Sequence, residues 1–124
     1  MKLTPAQTDE VSLSAFGHEA VAMLMRGEFH GLASLFGYVL SQDRDPAAAL
    51  EADYVRAAAS PFQAAPGAGV SVVVKYFKPN DTGLFAVVEC TVPVERGAVH
   101  LDLIVAGKGE EKGIAVEDIH GLVY

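Results

Sequence analysis

Hydrophobic positions change their spacing once along this chain, and the change divides it into two halves. Up to about residue 60 they recur every three or four residues, as on one side of a helix. Phe16, Ala20, Met23 and Leu24 form such a stripe. Ahead of it, Thr4-Pro5-Ala6-Gln7 reads as a helix start. Threonine caps, proline suits the first helical position, and Gln7 completes a capping box. Gly27 is the expected stop, because glycine tolerates the left-handed backbone past a helix end. Phe29, Leu32, Ala33 and Phe36 lie at i, i+3, i+4 and i+7 and predict a second helix over residues 27–36, ended by Gly37. Tyr38 to Gln42 predicts a short strand. Asp45-Pro46 opens a third helix running to about Ser60, with Leu50, Tyr54 and Ala57 or Ala58 on its inner side.

Residues 61–69, PFQAAPGAG, form a connector rich in proline and glycine. Beyond it the spacing becomes strand-like. Val70–Lys78, Leu84–Val94, Val99–Ala106 and Ile114–Val123 are rich in β-branched residues and separated by turn residues at 79–83, 95–97 and 107–113. Short turns imply an antiparallel meander. Helices followed by strands predict the α+β class, with three N-terminal helices packed on an antiparallel sheet of four to five strands. At 124 residues the whole chain, 1–124, is expected to be a single domain. Val99, Leu101, Leu103 and Val105 alternate with His100, Asp102, Ile104 and Ala106, so both sheet faces carry apolar groups. One face is expected to meet the helices and the other a second subunit, which predicts a homodimer through the sheet.

Composition narrows the function. Hydrophobic residues make up 51% of the chain and mean hydropathy is +0.28, an excess suited to a ligand cavity or a subunit interface. The net charge of −7 is evenly spread, with 4 basic and 8 acidic side chains before residue 61 and 5 and 8 after it. No basic stripe exists to neutralise phosphates, which argues against nucleic-acid binding. The single cysteine, Cys90, cannot form an internal disulfide, as in a reducing cytoplasm. The first residues lack the apolar run of a secretion signal, and no apolar stretch approaches the ~18 residues of a membrane span. A cytoplasmic protein without a membrane association is expected.

The last hairpin carries the most chemistry. With a turn centred on Glu110, Ala106 faces Ile114, Ile104 faces Val116, Asp102 faces Asp118 and His100 faces His120. Facing residues project to the same side of a sheet. That side would be apolar near the turn and would carry two carboxylates and two imidazoles further along, the make-up of a ligand pocket. Facing aspartates and burial raise a carboxyl pKa, and a neutral carboxylic acid can donate to a developing oxyanion. A neighbouring imidazolium would instead keep both ionised. A register slip of one residue would turn the strand's side chains to the other face. Asp118 and His120 paired with each other at a rim is the structural alternative. Two His and two Asp on strands are a weak metal pattern, so neither a metal nor another cofactor is expected. Asp45 is most simply a helix N-cap. His18 and His30 read as surface or boundary residues, Cys90 as a small buried hydrophobe, and Gly107-Lys108-Gly109 as a hairpin turn.

GEFHGLASLF at residues 27–36, followed by Asp45-Pro46, resembles the second-helix signature of the nuclear transport factor 2-like superfamily. The likeness covers residues 27–46, with about one extra residue before Asp45, and the order of helices and terminal strands agrees over nearly the whole chain. It implies a cone-shaped pocket between the helices and a curved sheet. In the superfamily's steroid isomerase and polyketide cyclase-like branch, it implies a general base at Asp45 and a neutral acid at Asp102; the position of that branch's tyrosine is Ala20. The first reading is therefore a pocket for a small apolar molecule. Asp45, Asp102 and His120 would serve isomerase, cyclase or dehydratase chemistry, and His100, Asp118, Ile104, Val116, Phe16 and Tyr54 would line the site. Val116 to His120 also resembles small bacterial proteins of the superfamily that bind and neutralise toxins. The second reading is therefore a protein-binding module whose acidity serves a basic partner.

Overall fold

The change of spacing becomes two layers, helices over strands, in the computed structural model, which describes residues 1–59, 69–94 and 97–121. Ser60 at the expected end of the third helix, residues 61–68 of the expected 61–69 connector, the turn residues 95 and 96, and positions 122 and 123 of the last strand lie outside the described residues. The three helices are α1 (Glu10–Met25), α2 (Phe29–Phe36) and α3 (Pro46–Ala58). The strands are β1 (Lys2–Leu3), β2 (Ser71–Tyr76), β3 (Leu84–Val94), β4 (Gly97–Lys108) and β5 (Glu111–Gly121). They form one antiparallel sheet in the order β1-β5-β4-β3-β2. This is the α+β arrangement, with the helices ahead of the main strands.

The helical faces follow the apolar spacing. α1 buries Leu13, Gly17, Ala20, Val21 and Leu24, while Phe16 and Met23 are half-buried. Gly17 is required by close approach: a Cβ there would lie 2.7 Å from Val72 Cγ1 and 2.8 Å from Val88 Cγ1. α2 buries Leu32 and Phe36, and Gly37 ends it with φ 76°. α3 buries Leu50 and Ala57, and the Asp45 carboxylate caps it by accepting the Ala48 N–H at 3.0 Å.

Two local expectations change. Thr4-Pro5-Ala6-Gln7 does not open α1. Gln7 Oε1 does accept the Thr4 N–H at 2.9 Å, but the cap closes only a 3-10 turn over Pro5–Gln7. The chain is extended again at Asp9 (φ −77°, ψ 165°), where α1 begins. Tyr38 to Gln42 is a 3-10 turn over Val39–Ser41 in place of a strand. Only Tyr38 is extended there, and it makes a lone parallel bridge to Val116.

The core lies between the layers. Val88, Cys90 and Val92 of β3, Leu101, Leu103 and Val105 of β4, and Ile114 and Val116 of β5 form one cluster with Leu13, Leu24, Leu32 and Leu50. Each such aliphatic side chain contributes roughly 1.5–3 kcal/mol by leaving water. The helices thus cover the all-aliphatic set of β4, Val99, Leu101, Leu103 and Val105. Its alternate set, His100, Asp102, Ile104 and Ala106, lies on the opposite face and is only half-buried.

The β4–β5 register departs from the expected one near the turn. The turn is a two-residue Gly109-Glu110 loop closed by the Lys108–Glu111 pair, not one centred on Glu110. Ile104 consequently faces Ala115, Val105 faces Ile114 and Ala106 faces Gly113. A bulge then leaves Glu117 without an opposite residue, between the pairs Leu103–Val116 and Asp102–Asp118. Past the bulge the expected pairs return: Asp102 faces Asp118 and His100 faces His120.

Candidate functional site

The bulge decides which side chains share a surface. It sends Val116 and Ile119 into the core, at 0% and 5% exposure, and Asp118 and His120 to the open face. Val116 and Ile104, expected together, stand on opposite sides of the sheet. The Asp/His row does not look inward under the helices; it lies on the face the helices leave open. The reason is competition between the two sets of β4, in which four aliphatic residues bury more apolar area than one containing His and Asp.

On that open face, rows of facing residues run across the four long strands. One is Val73, Glu89, Asp102 and Asp118. Beside it run Ser71, Thr91, His100 and His120 on one side and Lys75, Val87, Ile104 and Ala115 on the other. Three carboxylates are therefore neighbours on three adjacent strands. His120 Nδ1 and Asp118 Oδ2 pair at 2.9 Å, and the His120 ring stacks on His100 with centroids 5.3 Å apart. Glu89 pairs with Lys75 at 2.6 Å. One donor atom each of Asp102, Asp118 and His120 lies within 4.8 Å of the others.

Asp102 stands apart from its neighbours. Among the described residues it has no hydrogen-bond or salt-bridge partner. Burial pushes its carboxyl up to about 6; His120 opposes this, while Glu89, Asp118 and Glu117 add to it through like-charge repulsion. Burial also lowers the His100 pKa, and the neighbouring His120 adds to the effect. The cluster thus combines a carboxyl that burial pushes up to about 6, an Asp–His pair and a second imidazole. Such a set can exchange protons near neutral pH, pair with cationic side chains or ligate a cation.

The other expected site residues are elsewhere. Asp45 is in the helical layer, exposed and engaged as the α3 cap, beside a surface groove of ≈ 280 Å³ that includes Phe29, His30 and Glu51. The sheet separates it from Asp102. Phe16 packs edge-on against Phe36, and Tyr54 lies tilted against Phe29, both on the helical side. His18 and His30 are exposed, and Cys90 is fully buried.

Two polar residues outside the expected site carry structure. Glu89 joins the carboxylate row; the signal was an acidic residue alternating with Val88 and Cys90 on a strand. Asp53 is buried at 8% exposure on the inner side of α3. It accepts from Tyr38 Oη at 2.6 Å, Arg44 Nη1 at 3.0 Å and Arg56 Nη2 at 2.9 Å. Burial pushes its carboxyl up, but the hydrogen bonds from Arg44 and Tyr38 and the charges of Arg44 and Arg56 outweigh burial and hold it below the usual range. Its signal was spacing: three residues after Leu50 and three before Arg56.

Among the described residues, no helix is long and apolar enough to cross a membrane. Comparison of the chain with protein-family models, with curated proteins and with solved structures gives no match in any of the three.

Proposed function

We propose that this chain is a protein-binding module that works through the open face of its sheet and takes a basic partner surface. The observation that carries the reading is the row Glu89, Asp102 and Asp118. Three carboxylates stand on adjacent strands with one lysine, Lys75, in bridging contact. Val87, Ile104 and Ala115 lie alongside and supply apolar contact area. A partner bringing Lys or Arg side chains relieves the carboxylate repulsion, and the net charge of −7 steers such a partner toward the chain. On this reading the chain is a divergent member of the nuclear transport factor 2-like superfamily, nearer its toxin-neutralising proteins than its isomerases. The Val116–His120 likeness, Ala20 at the tyrosine position and the use of Asp45 as a cap all favour that choice.

The test is affinity capture from a lysate of the host organism in EDTA, comparing wild type with Asp118→Arg, Ile104→Arg and the helix-face control Val55→Arg. The expected result is one basic protein retained by wild type and control and lost by both sheet variants, each folded by circular dichroism. Equal retention by the sheet variants, or no retained protein, contradicts the reading.

A second reading starts from Asp102, half-buried on the open face without a hydrogen-bond or salt-bridge partner among the described residues, whose carboxyl burial pushes up to about 6. A second copy seated on the open face would enclose it with Ile104 and His120 in a pocket for a small apolar molecule. Asp102 and His120 would then act as an acid/base pair. Sedimentation equilibrium decides this point. A dimer abolished by Ile104→Arg supports the homodimer, and a monomer at high concentration removes it.

A further inference from the structure

The cluster on the open face has a second use that requires no partner chain. We propose that Asp102, Asp118 and His120 form a binding site for one divalent first-row metal ion, with zinc the best-matched member. Three observations support it; geometry and donor type are independent of the basic-partner reading, and the charge of the carboxylate row is shared with it.

The first is geometry. One donor atom from each of the three residues already lies within 4.8 Å of the other two. Ligands held at about 2.0–2.2 Å on a tetrahedral ion stand about 3.4 Å apart, so the donor atoms have at most about 1.4 Å to close. Asp102 and Asp118 are directly opposed on hydrogen-bonded strands, which fixes their separation. The exposed ring of His120 supplies the adjustment.

The second is charge. Opposed carboxylates on neighbouring strands repel each other, and Glu89 adds a third negative group beside Asp102. Glu89 is engaged by Lys75, whereas Asp102 has no salt-bridge partner among the described residues. A divalent ion between Asp102 and Asp118 removes the repulsion.

The third is donor type. One imidazole nitrogen with two carboxylate oxygens suits zinc, and less well manganese or iron, over magnesium or calcium, whose sites are all-oxygen. The ion replaces the present contact between His120 Nδ1 and Asp118 Oδ2 and releases the imidazole proton where one is bound. The His100 ring stacks on that of His120 beside the three ligands. Three protein ligands leave a fourth position for water or a ligand atom.

The experiment is isothermal titration calorimetry of the full chain, stripped with EDTA and then dialysed, against zinc chloride, with cobalt(II) absorption as a second readout. One equivalent is expected to bind, with a visible cobalt band, and Asp102→Asn, Asp118→Asn and His120→Ala are each expected to weaken binding at least about tenfold. His30→Ala, at an exposed histidine elsewhere, is expected to match wild type. Absence of a stoichiometric site, or unchanged affinity in the three cluster variants, overturns the proposal. Because the chain is titrated alone, and partner capture is done in EDTA, failure of the metal site and failure of the partner reading are separate results.

Discussion

Replacing Asp102 by Asn is expected to stabilise the protein at pH 8 and to remove part of its pH dependence. The carboxyl is moved from an ordinary 3.8 to about 6, with burial as the main cause. Between those values the folded chain keeps a proton that the unfolded chain has already released. Stability therefore falls as pH rises through this window, and the loss is complete above the folded value. For a fully screened-off group the difference would amount to about 3 kcal/mol. Asp102 is only half-buried, and solvent screening reduces this to about 1 kcal/mol. Asparagine has the same size and carries no charge at any pH in the range. The variant should melt about 4 °C above wild type at pH 8, with the gap closing toward pH 4. Thermal melts in EDTA from pH 4.5 to 8 measure it. A variant less stable than wild type at pH 8, or a gap independent of pH, would contradict a raised Asp102 pKa.

Three further outcomes rest on other parts of the fold. Gly17→Ala should cost about 1–3 kcal/mol in urea unfolding, because the new methyl group meets Val72 and Val88 at under 3 Å and α1 must lift from the sheet. Asp53→Asn should cost about 2 kcal/mol at pH 7, since Tyr38, Arg44 and Arg56 lose their shared carboxylate. The folded Asp53 pKa is depressed, so its contribution is present at neutral pH and lost as pH falls, and the gap to wild type should shrink in acid. The Cys90 thiol, pushed up to about 12 by burial and the Asp102 charge, should not react with Ellman's reagent at pH 8 until the chain is unfolded. Rapid reaction in the folded state would contradict its placement.

The helical half was legible because one apolar stripe at a fixed period leaves one way to bury it. Leu32, Phe36 and Leu50 are core residues for that reason. The start of α1 was not, because a Thr-Pro-x-Gln cap serves a 3-10 turn as well as a helix. The strand expected at Tyr38–Gln42 failed because Gly37 at φ 76° and Gln42 at φ 55° bracket a segment with one extended residue. In the hairpin, two departures cancelled. The two-residue turn moved the register by one, and the bulge at Glu117 moved it back, so the polar pairs matched while the apolar pairs did not. No local signal marks that bulge. The choice of face was legible in principle, since Val99, Leu101, Leu103 and Val105 are all aliphatic and their alternates are not.

Native-state thiol labelling tests that choice of face directly, in the otherwise inert Cys90 background. Single substitutions Ala115→Cys and Asp118→Cys should react with a maleimide at low protein concentration within minutes, while Val116→Cys and Ile119→Cys should stay protected until unfolding. Protection at 115 and 118 together with labelling at 116 would put the Asp/His row under the helices, and the binding face, its basic partner and the metal site would all fall with it.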